Sequence, residues 1–230
     1  MGIKGSYRHT IGACCIGYIV QAIVNNFAPL LFLTFNNTYN IPLEQIGLLV
    51  TVNFSIQLIM DIFAVKYVDR IGYRTSVLAA HVFAAAGLVG LAFLPDVMPT
   101  PFMGLCIAIV LYGMGGGLLE VVISPMVEAC PSDEKAGTMS LLHSFYCWGS
   151  VLVVAVSTLL FKLIGIETWR LISCMWAIVP ALNFVYFLNV PVVALGENGN
   201  SISVGELFKT KLFWIFISFI ITICIIRSFI

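Results

Sequence analysis

The sequence contains few charged residues. Only 10% of its 230 residues are Asp, Glu, Lys or Arg, whereas soluble domains carry about 25%. The mean hydropathy is +1.05, and 60% of the residues are hydrophobic. A soluble protein of this size is excluded, because too little polar surface is available to cover it. The formal net charge is zero, which gives no reason to expect nucleic acid as a partner.

The sequence also lacks the motifs of metal, disulfide and enzyme chemistry. Its seven cysteines lie mostly in apolar runs, without a CxxC pair or a histidine at ligand spacing, which favours small packing residues. There is no HExxH motif and no nucleophile with a base at useful spacing, so we expect no enzyme, no metal site and no cofactor. The first apolar run lacks a small-residue cleavage site and more runs follow it, which predicts a retained helix and not a signal peptide.

Long apolar runs dominate the chain. A helix that crosses a membrane needs about 20 largely apolar residues. Six segments satisfy this requirement: 10–35, 43–68, 75–94, 102–130, 138–164 and 168–193. Short turns rich in Asn, Asp, Pro and Gly separate them. The pattern predicts an all-α membrane protein with a six-helix domain over residues 1–193.

Lys and Arg are distributed unevenly between the two sides of this predicted bundle. One side carries Lys162 and Arg170, and the other carries Lys4, Arg8, Lys66, Arg70, Arg74, Lys135, Lys209 and Lys211. Cytoplasmic loops are enriched in Lys and Arg, so the richer side is predicted to be cytoplasmic. We therefore expect a multi-pass protein of the plasma membrane with a cytoplasmic N-terminus and a cytoplasmic linker at 194–206.

A seventh apolar segment begins near the end of the sequence. Leu212 to Ile226 comprises 15 residues, which reach about 22 Å as a helix, whereas the bilayer core is about 30 Å thick. Residues 207–230 are therefore predicted to be the start of a truncated seventh helix. The alternative is a tilted or interfacial helix whose Arg227 reaches the head groups.

The turn between the second and third predicted spans carries a short charged motif. It reads Asp69-Arg70-Ile-Gly72-Tyr-Arg74. Gly72 predicts a tight turn at a helix end. The Asp69 carboxylate, among three cations, is expected to hold the turn and lock it against a neighbouring helix; a plain basic loop is the alternative. The D-R-x-G-x-R pattern at this place resembles the signature loop of the major facilitator superfamily.

The fourth predicted span contains a carboxylate in an apolar run. Glu120 lies ten residues before Cys130, about 15 Å inside the cytoplasmic end. An ionised group at this depth costs about 2.5 kcal/mol or more unless it is protonated, paired or beside water. We therefore expect Glu120 to mark a cavity, with a structural hydrogen bond as the alternative. Gly113 and Gly117 form a small-xxx-small step that predicts close helix packing.

Other polar candidates lie in the fifth and first spans. His143 is at a depth similar to that of Glu120, and Tyr146 lies three residues further on. Gln21 and Asn25 are four residues apart, so they share a helix face, and Asn26 follows. These side chains are candidate ligands for substrate or proton; bundle hydrogen bonds and packing are the alternatives. Asp61, nearer the loop, is the reserve candidate for a titrating acid.

Four features together resemble the fucose permease group of the superfamily, the sugar:proton symporters. They are Asn25-Asn26 with Gly47, the D-R-x-G-x-R loop, Leu119-Glu120 with Ser124-Pro125, and a Leu-x-x-Ser-Phe-x-x-x-Gly run that ends at Gly149. The resemblance implies that Glu120 matches the group's substrate-site glutamate. It also implies that His143 takes the place of a polar amide and Pro29 that of an acidic proton carrier.

The sequence thus predicts the N-terminal half of a major facilitator transporter, with two inverted three-helix repeats. The expected activity is proton-coupled movement of a small polar solute such as a sugar. The expected partners are the lipid bilayer, the solute, a proton or other coupling ion, and either the missing C-terminal half or a second copy. A seven-helix receptor or sensor and a facilitative uniporter are the alternatives.

Overall fold

The computed structural model describes residues 7–131 and 134–192 together with Trp214. Six of its helices are long and apolar enough to cross a membrane. We call them span 1 to span 6; they are Tyr7–Tyr39, Leu43–Ile71, Tyr73–Val97, Pro101–Ala129, Lys135–Ile164 and Ile166–Asn189. The six predicted spans are confirmed to within a few residues at each end. The predicted linker at 194–206 and seventh helix at 207–230 lie outside the described residues, Trp214 excepted.

Span 1 is interrupted next to its two asparagines. An α-helix covers Tyr7–Asn26, a 3-10 turn covers Ala28–Leu31, and a second α-helix covers Phe32–Tyr39. The 3-10 turn contains Pro29, which has no backbone N–H to give to the preceding turn. The break therefore ends the first α-helix at the level of Asn25 and Asn26.

Spans 1 and 4 form the centre of the bundle. In their most apolar stretches 56% and 61% of the residues are buried, whereas in spans 2 and 5 only 28% and 17% are. Spans 2 and 5 consequently expose large apolar side chains such as Phe54, Ile62, Trp148 and Val151. These two helices are the least buried of the six spans.

Glycines allow span 4 to pack closely against two neighbours. A β-carbon added at Gly117 would lie 2.9 Å from the Gln57 carbonyl oxygen of span 2, and one added at Gly113 would lie 3.1 Å from Asn53 Oδ1. One added at Gly115 would lie 2.6 Å from the Ala80 carbonyl oxygen of span 3. The close approach predicted from the small-xxx-small step is therefore confirmed.

The turn between spans 2 and 3 is as tight as predicted, but a different contact holds it. Gly72 adopts φ +92°, which a residue with a side chain rarely reaches. Asp69 accepts a hydrogen bond from the Tyr73 hydroxyl at 3.2 Å. The Arg74 guanidinium extends to the end of span 6 and donates to the carbonyls of Phe187, Leu188 and Val190 at 2.9, 3.2 and 2.6 Å.

The expected cluster of cations around Asp69 is therefore wrong for Arg74. The last carbonyls of a helix have no partner within it, and a guanidinium has five donors in a planar fork that can reach several of them. The turn is indeed locked against a neighbouring helix, but Arg74 makes the contact, and its partner is backbone.

At the opposite end of the bundle a charged pair joins spans 3 and 6. Asp96 Oδ2 and Arg170 Nη1 are 2.6 Å apart, and both side chains are 42% exposed. The Tyr39 hydroxyl donates to Asp96 Oδ1 at 3.1 Å and accepts from Arg170 Nη2 at 3.0 Å. This cluster ties the end of span 1 to the same point.

Candidate functional site

Spans 1, 2, 4 and 5 surround an open cavity of about 550 Å³. It is lined by Tyr18, Gln21, Asn25, Phe54, Gln57, Leu58, Asp61, Glu120, His143, Tyr146 and Cys147. More than half of these side chains are polar, although every one comes from a helix that is apolar over most of its length. Each polar group is thus held on a rigid helix and directed to a common space.

The structure brings together five of the six side chains that the sequence nominates for substrate or proton: Gln21, Asn25, Glu120, His143 and Tyr146 all line the cavity. Asn26 does not line it. Its Nδ2 donates to the Ala22 carbonyl at 2.8 Å and to Ser150 Oγ at 3.2 Å, so Asn26 joins span 1 to span 5.

Asn25 is the centre of a hydrogen-bond network. Its Oδ1 accepts from Gln57 Nε2 at 2.7 Å and from Asn53 Nδ2 at 3.3 Å. Its Nδ2 donates to the Tyr146 hydroxyl at 3.4 Å. Asn53 and Gln57 are buried, and Asn25 is the partner of both amide donors. The network holds spans 1, 2 and 5 at fixed positions around the cavity.

Gln21 connects span 1 to the Glu120 carboxylate of span 4. Its Nε2 donates to Glu120 Oε2 at 3.0 Å. Because only the N–H₂ end of an amide can donate to a carboxylate, this contact also fixes the orientation of the amide. Gln21 is 3% exposed, and its Oε1 has no hydrogen-bond partner in the described protein. A buried acceptor of this kind is suited to a donor that comes from a ligand.

Aromatic rings form one wall of the cavity. The Tyr18 ring lies 5.4 Å from the His143 ring and 6.4 Å from the Tyr146 ring, measured between centroids. The Tyr18 hydroxyl pairs with Ser124 Oγ at 2.8 Å. This wall gives the cavity an apolar surface beside its hydrogen-bonding groups, a combination that suits the two faces of a sugar ring.

Span 2 contributes two polar residues to the cavity, of which one was not predicted and the other was named only as a reserve candidate. Gln57 and the reserve candidate Asp61 both line the cavity, and Asp61 Oδ1 is buried without a hydrogen-bond partner in the described protein. Together with Asn53 they recur every fourth residue, which places all three on one face of the helix. That spacing is a signal from which the sequence could have predicted a polar face on span 2.

The four residues of the predicted signature loop lie outside this cavity. Asp69 and Arg70 end span 2, Gly72 makes the turn, and Arg74 begins span 3. None of the four belongs to the cavity lining. Any role of the loop in gating is therefore separate from contact with a ligand in the cavity.

The arrangement supports recognition of hydroxyl groups and exchange of protons. Two carboxylates, three amides and an imidazole can each accept or donate hydrogen bonds, and the carboxylates and the imidazole can take up a proton. No Lys or Arg lines the cavity among the described residues. Within the same residues no group of three or more His, Cys, Asp or Glu could hold a metal ion.

Comparison with known proteins supplies a family and a set of structures. The family model described as Major Facilitator Superfamily matches residues 13–230. A comparison with curated proteins finds no significant match.

Among solved structures the chain is similar to the xylose transporter XylE from E. coli in its inward open conformation. The TM-score is 0.71 and the identity 17%, over 81% of this chain and 49% of that chain. For the partially occluded inward open conformation the TM-score is 0.73 and the identity 17%, over 81% of this chain and 50% of that chain.

A third structure is that of the proton:xylose symporter XylE bound to 6-bromo-6-deoxy-D-glucose. Here the TM-score is 0.72 and the identity 17%, over 80% of this chain and 45% of that chain. The chain spans about half the length of these structures, and at this identity the likeness establishes the fold.

Proposed function

This chain belongs to the major facilitator superfamily, and on that premise we propose that it is one half of a secondary transporter that moves a small polar solute, such as a monosaccharide, across the plasma membrane. The observation that carries the proposal is the cavity of about 550 Å³ with polar side chains from four spans. Ligand sites for small molecules have volumes of about 300 to 1,000 Å³ and combine apolar walls with a few placed polar groups.

We assign the recognition of solute hydroxyls to three side chains. Glu120 and His143 offer one polar edge from spans 4 and 5, and Gln21 offers a buried acceptor, Oε1, from span 1. Asn25 acts mainly as a support, because the network with Gln57, Asn53 and Tyr146 already occupies its amide. The similarity to structures described as a xylose transporter favours a sugar, a choice that rests on fold likeness.

We further propose that transport is coupled to protons and that Glu120 takes part in the coupling. Glu120 lines the cavity, where the described residues place no Lys or Arg beside it, and a carboxylate can accept a proton from water and return it. One of the similar structures is described as a proton:xylose symporter. If Glu120 does not exchange a proton during transport, facilitative transport without a coupling ion is the alternative mechanism.

The other half of the transporter is expected to cover the open side of the bundle. Spans 2 and 5 expose large apolar side chains, and both contribute residues to the lining of the open cavity. Alternating access in this superfamily requires two six-helix units that rock about a central site. A second polypeptide or a second copy of this chain would supply the second unit. The distribution of Lys and Arg supports a cytoplasmic N-terminus.

Equilibrium binding tests the assignment of the site. Purified chain in lipid nanodiscs would be titrated with radiolabelled D-xylose and a panel of other neutral monosaccharides, beside Glu120→Ala and Glu44→Ala variants. Glu44 is an exposed carboxylate in the first turn of span 2 and serves as the matched control. We expect at least one sugar to bind the parent and the control, with binding weakened about tenfold or more in Glu120→Ala. Equal binding to all three proteins would refute the site.

A further inference from the structure

The three amides of the cavity lining already donate to other groups of the protein. Gln21 Nε2 donates to Glu120 Oε2 at 3.0 Å. Asn25 Nδ2 donates to the Tyr146 hydroxyl at 3.4 Å, and Gln57 Nε2 donates to Asn25 Oδ1 at 2.7 Å. Each amide N–H₂ group of the lining is therefore engaged before any ligand arrives.

Several acceptor oxygens, by contrast, have no donor. Four buried side-chain atoms of the described residues lack a hydrogen-bond partner, and all four are oxygens: Gln21 Oε1, Asn53 Oδ1, Asp61 Oδ1 and Asn183 Oδ1. Gln21 and Asp61 line the cavity, and Gln21 is only 3% exposed. A buried acceptor without a donor is costly, so the cavity favours a ligand that brings donors.

The lining also carries negative charge without a fixed cation to balance it. Asp61 and Glu120 both line the cavity, and among the described residues no Lys or Arg does. Of the lining side chains only His143 can become a cation. With both carboxylates ionised, the lining is negative whether or not His143 is protonated, and it therefore attracts a positively charged ligand.

Gln21 Oε1 and the Glu120 carboxylate lie side by side. The oxygen and the nitrogen of an amide are bonded to the same carbon, so Oε1 lies next to the carboxylate that Nε2 contacts. An ammonium group has three N–H donors and no acceptor, whereas a hydroxyl has one donor and two acceptor lone pairs. An ammonium group therefore fits these two neighbouring acceptors better than a hydroxyl does.

Aromatic rings complete the surroundings that suit an organic cation. Tyr18, Phe54 and Tyr146 line the same cavity, and the face of an aromatic ring attracts a cation. The same rings offer apolar surface to the carbon skeleton of a sugar. The cavity thus combines acceptors, negative charge and aromatic surface.

We propose that the solute carries a basic amine beside its hydroxyls, as an amino sugar does, and that it binds as an ammonium ion at the Glu120 carboxylate and Gln21 Oε1. Asp61 supplies a second negative charge in the same cavity. The inference rests on the solute site proposed above and narrows its substrate class from small polar solutes to hydroxylated amines. One of the solute groups that meet Glu120 and Gln21 is then an amine and not a hydroxyl.

Pairs of sugars that differ in a single group test this charge. The full chain in lipid nanodiscs would be titrated at slightly acidic pH, where the amines are protonated, with radiolabelled D-glucosamine, D-galactosamine and D-mannosamine, each beside its neutral counterpart D-glucose, D-galactose or D-mannose. We expect at least one amino sugar to bind about tenfold or more tightly than its counterpart, because a hydrogen bond to a charged group replaces a neutral one.

Variants that preserve shape assign the preference to the two acids. Glu120→Gln should bind the members of that pair equally, and Asp61→Asn should lower the ratio of their affinities. Glu44→Gln, which removes an exposed carboxylate outside the cavity, is the matched control and should keep the full ratio. A ratio that stays unchanged in both cavity variants would overturn the proposal.

The comparison of sugars in the parent protein is decisive by itself, so the test stands even if a variant fails to fold. Neutral sugars that bind as tightly as their amino counterparts in every pair, or that bind when no amino sugar does, would refute the inference and leave the solute site intact. If no sugar of either class binds, the proposed site and the inference both fail.

Discussion

The guanidinium of Arg74, in the first turn of span 3, donates a hydrogen bond of 2.6 Å to the carbonyl of Val190, just beyond the end of span 6. Further bonds run to the carbonyls of Phe187 and Leu188. One side chain thus closes the end of a helix that is remote in sequence. The signature-loop residue is therefore part of the framework that holds the bundle together.

Substitution of Arg74 by Gln should destabilise the bundle. Hydrogen bonds to a charged group contribute about 1.5 to 3 kcal/mol, so we expect a loss of this order in the free energy of unfolding measured in detergent micelles. Arg70→Gln is the matched control, because Arg70 is exposed at the end of span 2. Equal stability of the two variants would contradict the structural role of Arg74.

A methyl group on span 4 tests the close helix contacts. Gly115→Ala would put a β-carbon 2.6 Å from the Ala80 carbonyl oxygen, and overpacking of this kind costs about 1 to 3 kcal/mol. Gly47→Ala is the matched control, since nothing lies within 4 Å of the added carbon. There the better helix propensity of Ala should leave the unfolding temperature unchanged or raise it. A Gly115→Ala protein as stable as the parent would argue against the close packing of spans 3 and 4.

Removal of the Asn25 amide should leave two buried donors without a partner. In Asn25→Ala the side chains of Asn53 and Gln57 lose the acceptor that they share, at a cost of about 1 to 3 kcal/mol for each buried group left unsatisfied. Unfolding of Asn25→Ala would be compared with that of Asn37→Ala, whose asparagine is exposed. The same unfolding temperature for both would show that the network does not stabilise the bundle.

The spans and much of the cavity could be predicted from the sequence because both depend on local chemistry. A run of about 20 apolar residues is sufficient to define a span, and a polar side chain inside such a run needs a partner or water. This argument led to Glu120, His143, Gln21 and Asn25. The sequence also contains a signal that this argument did not use. Asn53, Gln57 and Asp61 recur at every fourth position.

Contacts between remote segments could not be predicted in the same way. Asn26 was grouped with Asn25, yet successive residues of a helix point about 100° apart, and Asn26 therefore contacts span 5 and not the cavity. Arg74 was assigned to Asp69 because the two are neighbours in sequence. Its real partners belong to span 6, and only the packing of spans 3 and 6 brings them together.

The proposed topology can be tested by cysteine labelling in a background without the native cysteines. Ile71→Cys, at the end of span 2, should be cytoplasmic, and Glu167→Cys, between spans 5 and 6, should face outward; both positions are exposed. A membrane-impermeant maleimide added to intact cells should label Glu167→Cys alone, and inverted vesicles should give the reverse. Labelling of Ile71→Cys in intact cells would contradict a cytoplasmic N-terminus.

The participation of Glu120 in proton-coupled transport is the central claim, and uptake by Glu120→Gln proteoliposomes tests it most directly. The chain would be reconstituted together with a second six-helix unit where another polypeptide supplies it, and a sugar identified by the binding assay would be followed under an imposed proton gradient. Gln preserves the shape and hydrogen bonding of Glu but cannot titrate. We therefore predict that the variant loses gradient-driven accumulation and retains exchange of labelled for unlabelled sugar. Accumulation with the same pH dependence as in the parent protein would contradict the account.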